Sequence, residues 1–431
     1  MTDLVVKETE RLEGTVKAPP SKGYTHRVVI AASLSDGQSI IKEPSNCDDA
    51  LATIRACSML GAKIRRKEHA ALVIDGISKP KTPKNIIDCG GSGSTIRFVS
   101  SICALADRIS VLTGNRSLQK RPMQSLLDAL NQLGARCASI KDDGTPPIVI
   151  FGGGIKGGET SLVGDISSQF ISSLLLSTPK AKNETRIAIT TQLESKLYIT
   201  MTLDVLRKHG IKDDYPSDYH RFLIPCEQEY HPTNHCIEGD YSSAAFILAA
   251  AALTKSSVKV TNLRKNTLQG DRIILDILRE MGVTVDADED YVEVTGVPSD
   301  LTGLNIDLRD APDLIPTCVV LACFANGETT INGVGRLRFK ESDRVASLIS
   351  ELAKMGGKII VDKDSFIIEG KANFQGAEIC SHKDHRIAMS CAVAALRAKG
   401  KTTIRGIECV RKSYPNFAED LRSLGGKVLG G

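Results

Sequence analysis

Apolar and polar positions along the chain repeat over a long period. A helix-like phrase closing on glycine returns six times, as SMLGAKI, NQLGARC, RKHGIKD, REMGVTV, AKMGGKI and RSLGGKV, with glycines at Gly61, Gly134, Gly210, Gly282, Gly356 and Gly425. Neighbouring copies lie roughly 70–76 residues apart, longer than a solenoid repeat and enough for a small α/β unit. Glycine behind an apolar-periodic run predicts a left-handed helix stop with a strand after it. Two short strands follow, as in ALVIDG then NIIDCG, or YVEVTG then NIDLRD. A polar turn then leads into a helix of small apolar residues, such as STIRFVSSICALA, QFISSLLLSTP, SSAAFILAAAAL or RIAMSCAVAALRA. One more strand, such as GETTINGV or GKTTIRGI, precedes the second helix, which ends at the next glycine.

The chain ends break this pattern. The last copy stops at Lys427–Gly431 without its strand pair, and an orphan pair, LVVKETERLEGTVKAPP, precedes the first copy. Leu4–Ala18 is therefore expected to complete the C-terminal half. The chain would cross between halves near Pro19–Ser21 and Glu238–Asp240. This predicts an α/β protein of two domains with three repeats each: residues 1–20 with 239–431, and an inserted domain, 21–238.

Composition agrees with a globular chain of that size: 431 residues, 42% apolar and 25% charged. The 55 basic residues against 51 acidic ones leave +4, too balanced for a nucleic-acid binder, so no nucleic acid is expected as a partner. The longest apolar runs, around Ala244–Leu253 and Cys318–Ala325, are too short to span a bilayer, and Met1–Pro20 has no secretory pattern. The 12 cysteines are scattered without C-x-x-C and read as reduced thiols in a cytoplasmic protein.

Candidate chemistry gathers at the turns. Those before the small-residue helices are PPSKGYTHR (Lys22, Arg27), GGSGSTIR (Gly93, Arg97), DISSQF (Ser167, Ser168, Gln169), EGDYSS (Asp240), RDAPD (Asp310, Asp313) and HKDHR (Asp384, Arg386). Hydroxyls and glycines at helix N-termini suit oxyanions, because free N–H groups and the positive end of the dipole lie there. Each turn taken alone reads first as an ordinary helix cap, and it is their recurrence at equivalent positions that points to a site. A second set follows the third strand: NRSLQKRP (Arg121), ESKLY (Ser195, Tyr198), RLRFKESDR (Lys340, Glu341, Arg344) and VRKSYP (Lys412). Bases this dense in a nearly neutral chain point to a local pocket for phosphate and carboxylate, with Asp313 and Glu341 available for proton transfer. No dinucleotide or P-loop glycine motif is present.

The motifs PSKGYTHR, SGSTIR, QKRP, SSQF, SKLYI, EGDYSSA, KESDR, DHRIAM and KSYP, in this order along the whole chain, resemble the enolpyruvyl transferases. Within that family the resemblance is to the enzymes acting on shikimate 3-phosphate. It implies a two-domain inside-out α/β barrel of βαβαββ-type repeats, with the substrates in the cleft between the domains. It also implies transfer of the enolpyruvyl group of phosphoenolpyruvate (PEP) to the 5-hydroxyl of shikimate 3-phosphate, by addition then elimination, in the pathway to chorismate and aromatic amino acids. No cofactor and no metal are implied, and a monomer is expected. Matched by motif, Lys22, Gly93, Arg121, Gln169, Arg344, Arg386 and Lys412 would hold PEP. Lys22, Arg27, Ser167, Ser168, Gln169, Ser195, Tyr198, Asp313 and Lys340 would hold shikimate 3-phosphate. Asp313 would take the hydroxyl proton, and Glu341, with Lys22 as a second candidate, would protonate the PEP methylene.

The chain departs from the pattern at Gly23, where the family usually has a serine against the substrate phosphate. Thr25 or Arg336 would then compensate. Gly91, His26 and Leu197 also differ from common members. The related transferases acting on UDP-N-acetylglucosamine carry a reactive cysteine in the loop matching Asn115–Arg121, where this chain has none.

Overall fold

The computed structural model describes residues 2–67, 71–216, 218–296, 301–371 and 373–431. All six repeat glycines have positive φ, from 78° at Gly134 to 112° at Gly61. After each, the next N–H donates to the carbonyl five residues back, as Ala62 does to Cys57 at 3.2 Å. A side chain is strained in that left-handed well, so one residue type fixes where all six helices end.

The helices come in pairs: α1 and α2 (Lys22–Ser33, Asp48–Met59), α3 and α4 (Gly93–Ala104, Gln124–Gln132), α5 and α6 (Ser168–Ser177, Lys196–Lys208), α7 and α8 (Tyr241–Leu253, Ile274–Glu280), α9 and α10 (Ile315–Phe324, Arg344–Met355), and α11 and α12 (His385–Ala395, Phe417–Ser423). The first of each pair is buried on nearly every side, with its charged residues confined to the first turns, and every residue of α7 is buried. Such a helix belongs inside a core. The second is amphipathic: α10 turns Val345, Leu348, Leu352 and Met355 inward at helical spacing. Strands packed on the inner helices, such as Ser257–Thr261 and Glu328–Asn332, alternate buried and less buried residues. Within each unit the inner helices are therefore central and the sheets lie outside them.

Sheet order follows one rule. In the fifth repeat it runs Asn305–Asp307, Glu328–Asn332, Ser365–Glu369, Lys358–Asp362, the first pair parallel and the others antiparallel. Three strands follow each full glycine stop, not two. After Gly61, Lys63–Arg66 and Leu72–Asp75 form a hairpin, and Ile87–Asp88 opens the next sheet. Lys63–Arg66 was hidden because KIRR is an edge strand with mostly exposed side chains and no apolar alternation. The third repeat is reduced: among the described residues its sheet has three strands, and an Asp214–Leu223 bridge marks the fourth position.

The N-terminal pair is split rather than kept together. Asp3–Lys7 inserts between Lys401–Arg405 and Val428–Gly430, while Glu13–Lys17 runs parallel to Ser257–Thr261 in another sheet. The last repeat thus lacks one strand of its hairpin, not two. Ahead of α3, α5, α9 and α11 the preceding strand joins the sheet of the repeat that the helix opens, whereas Glu13–Lys17 ahead of α1 joins Ser257–Thr261, and His235–Cys236 ahead of α7 joins Gln38–Lys42.

By compactness the chain divides into unit 1, Met1–Pro19 with Glu238–Gly431, and unit 2, Pro20–Ile237. Each has its own core, around α7, α9 and α11 or around α1, α3 and α5. All 12 cysteines are free and eight are buried. Burial pushes the Cys57 and Cys103 thiols up to about 12, so these two behave as small core residues rather than nucleophiles. Among the described residues no helix is long and apolar enough to cross a membrane.

Candidate active site

In unit 1 the sequence-predicted residues meet in one network. Arg344, the first residue of α10, is 1% exposed. Its Nε donates to Asp384 Oδ2 at 2.8 Å, Nη1 to Asp313 Oδ1 at 3.1 Å and Nη2 to Glu341 Oε2 at 2.7 Å. Burial alone would lower the guanidinium, but Asp384, Glu341 and Asp313 together hold it above its ordinary value. Arg386, at the start of α11, donates from Nη2 to Asp313 Oδ2 at 3.0 Å and to Ser242 Oγ at 2.6 Å, and from Nη1 to the Asp313 carbonyl at 2.9 Å. Lys412 Nζ lies 3.2 Å from Glu341 Oε1, and Lys340 Nζ lies 3.6 Å from Asp313 Oδ1. The Lys340 ammonium is lowered to about 8; burial is the main cause and Asp313 opposes it. Asp313 thus touches three cations and Glu341 two.

Helix starts explain this convergence. Asp384 caps α11 by accepting the Arg386 N–H, and its two oxygens face the Arg344 side chain. Asp343 caps α10 through Ala346 N–H, which puts Arg344 in the first turn. Asp313 precedes α9, which begins with Pro316 in its first turn.

Unit 2 brings its residues together differently. Arg27 on α1 is buried, and three of its five N–H donors are engaged by neutral acceptors: Thr202 Oγ1 at 2.7 Å, the Gly23 carbonyl at 2.9 Å and the Tyr198 carbonyl at 2.9 Å. Its guanidinium also lies 5.2 Å from the Phe98 ring centre. Burial lowers its pKa to about 10. Arg97 donates to Gln169 Oε1 at 2.8 Å and Ser167 Oγ at 3.3 Å, and Gln169 reaches Ser94 Oγ at 2.9 Å. Ser92 caps α3 and Ser167 caps α5. Ser168 opens α5 and is buried; Ser195 precedes α6 in a left-handed conformation with φ 59°, a strained position for a non-glycine residue. A Cβ on Gly93 would stand 2.6 Å from Arg121 Nη1, so the guanidinium rests on the bare first turn of α3.

Lys22 pairs with Asp49 at 3.1 Å, a partner the sequence reading passed over. Asp49 sits in KEPSNCDD, the first repeat's counterpart of the charged turns NRSLQKRP and RLRFKESDR, so the repeat period could have found it. Its carbonyl accepts from Thr95 Oγ1 at 3.2 Å, which links α2 to α3. Thr25 does not replace the hydroxyl missing at Gly23. It is fully buried, donates to the Ser21 carbonyl at 2.7 Å and accepts from Ser45 N–H. Arg336 donates to the Arg309 carbonyl within unit 1.

The profile of the family described as EPSP synthase (3-phosphoshikimate 1-carboxyvinyltransferase) matches residues 6–421. A 3-phosphoshikimate 1-carboxyvinyltransferase of Methanocaldococcus jannaschii is 45% identical over 427 residues, covering 99% of each chain. One from Methanococcus maripaludis is 43% identical over 428 residues, again covering 99% of both. Among solved structures, EPSP synthase from Acinetobacter baumannii superposes with a TM-score of 0.84 over the full length of both chains at 29% identity. The small-residue helices, the sheet order and the carboxylate–arginine network are thus those of a chain that belongs to the EPSP synthase family, the 3-phosphoshikimate 1-carboxyvinyltransferases.

Proposed function

We propose how this chain carries out its family's reaction, the transfer of the enolpyruvyl group of PEP to the 5-hydroxyl of shikimate 3-phosphate with release of phosphate. The observation that carries the proposal is the unit 1 network, two carboxylates interleaved with four cations at 2.7–3.6 Å. Asp313 accepts the 5-hydroxyl proton as that oxygen bonds to C2 of PEP, and Glu341 delivers a proton to C3. In the second half C3 gives a proton back, the C2–O bond to phosphate breaks, and the double bond reforms. Arg344, Arg386 and Lys412 stabilise the PEP anions, and Lys22, Arg121, Gln169 and the Gly93 backbone are the further PEP ligands of this reading. An incoming anion competes with Asp313 and Glu341 for those cations, which releases the carboxylates for proton transfer.

Shikimate 3-phosphate is held by Arg27, Ser167, Ser168, Gln169, Ser195, Tyr198 and Lys340, with Lys22 at its reacting side. Two donors of Arg27 remain after its three protein bonds, enough for one phosphate oxygen pair. The enzyme works in the cytoplasm in this reading. Incubation with PEP and shikimate 3-phosphate should release inorganic phosphate at the rate PEP disappears. Release with a UDP-sugar acceptor in place of shikimate 3-phosphate, and none with the latter, would reject the assignment.

A further inference from the structure

Glu351 is an almost fully buried carboxylate that the reaction does not use. It lies two turns beyond Arg344 on α10, with its side chain 2% exposed. Its Oε2 accepts the Cys380 backbone N–H at 3.0 Å and pairs with Lys354 Nζ at 2.6 Å. Its Oε1 lies 2.7 Å from His382 Nε2. These contacts fall on the turn that delivers Asp384 and Arg386. Within that turn His382 and Lys383 both take left-handed backbone angles, φ 52° and 57°, which no glycine relieves. Two such residues in succession persist only where the surroundings impose them.

The two ends of the turn are tied to one helix. Glu351 holds the end at Cys380 and His382, and Arg344 holds the end at Asp384. Ser381 adds a third restraint, donating to the Gly406 carbonyl at 3.0 Å. From the geometry we infer that Glu351 and His382 form a positioning pair, a strut that keeps the strained turn in place and so sets where Asp384 and Arg386 stand relative to Arg344. Neither residue touches the reacting atoms. Lys354 neutralises the buried carboxylate from the solvent side at Oε2, and Oε1 takes the imidazole at 2.7 Å with a longer 3.4 Å bond from Ser350 Oγ. The strut rests on the assignment of Arg344 and Arg386 to PEP given above.

His382→Gly separates positioning from folding, because glycine removes the imidazole while relieving the left-handed strain at that residue. The expected result is a thermal midpoint equal to or above that of the parent, with KM for PEP raised about ten- to a hundredfold and KM for shikimate 3-phosphate nearly unchanged. His382→Gln, which restores a donor toward Glu351, should recover most of the loss. Glu351→Ala should give the same KM pattern if it folds, and the glycine variant keeps the test decisive if it does not. Parental KM for PEP and kcat in His382→Gly would overturn the strut. So would an equal fall in stability in both His382 variants with KM unmoved, since that is a structural role only. Arg386→Lys is measured beside them: an unchanged KM for PEP there overturns the underlying assignment and the strut with it, whereas a raised KM there with a parental His382→Gly removes the strut alone.

Discussion

Arg27 and Arg344 are both buried arginines, one in each unit, and they are held in opposite ways. Arg27 is surrounded by a hydroxyl, two carbonyls and the Phe98 ring, and burial lowers its pKa to about 10. Arg344 is gripped by Asp384, Asp313 and Glu341, which more than offset the same desolvation. A buried cation without a counter-charge is costly until an anion arrives, which supports the proposal that Arg27 receives a substrate phosphate. A buried cation among carboxylates is satisfied already, so Arg344 organises acids and gives up a share of its charge only by exchange. The helix caps repeat the contrast: Ser21, Ser92 and Ser167 start the inner helices of unit 2, whereas Asp240 and Asp384 start two of those in unit 1. One scaffold, copied six times, thus yields a half whose three inner helices are capped by serine and a half in which two of the three are capped by aspartate.

The largest expected effect tests the acid half. Glu341→Gln keeps the shape but removes the charge shared by Arg344 and Lys412, and turnover should fall about 10³-fold with KM for PEP changed far less. Steady-state kinetics decide it, and near-normal turnover would remove Glu341 from proton transfer. Next comes a paired stability measurement in denaturant. Arg344→Met strands three carboxylates together and should cost about 3–5 kcal/mol, while Arg27→Met, which deletes a cation with no acid beside it, should cost clearly less. Equal losses would erase the distinction between the two arginines.

A smaller effect is expected at Gly93. Alanine there forces Arg121 Nη1 away from the start of α3, so KM for PEP should rise about tenfold while the fold survives, because the displaced atom is the end of a flexible chain. Unchanged affinity would mean that Arg121 does not serve PEP from this position. The mildest signal is a pH effect. Lys340 loses its proton as pH rises through about 8, so affinity for shikimate 3-phosphate should decline above that pH. Binding there should also take up protons, detectable by titration calorimetry in buffers of different ionisation enthalpy. Lys340→Arg should abolish both effects, since arginine stays charged.

Where the code is local, the chain was readable. The six glycines announced their left-handed stops because few other residues occupy that well cheaply, and α7 announced its burial by having no polar face. Asp313, Glu341, Arg344, Arg386 and Lys412 were visible as charges at turns recurring at one period, and they do meet in unit 1. Asp49 was legible by the same period but lies in a turn without the density of bases that marks the others. Lys63–Arg66 was not legible, since an exposed edge strand has no apolar rhythm. The strut at Glu351 and His382 was equally silent, because the two residues are 31 positions apart and carry no motif.

The sequence by itself determined the repeat, the helix stops, the buried small-residue helices and the identity of the charged groups, because each depends on residues near in the chain. Tertiary structure decided that Asp3–Lys7 and Glu13–Lys17 part company, since strand partners are chosen by sheet edges that the chain reaches hundreds of residues later. It also decided which cation answers to which acid. Arg27 and Arg344 have the same side chain, and only the groups folded around each leave one among neutral acceptors and make the other the centre of an acid network.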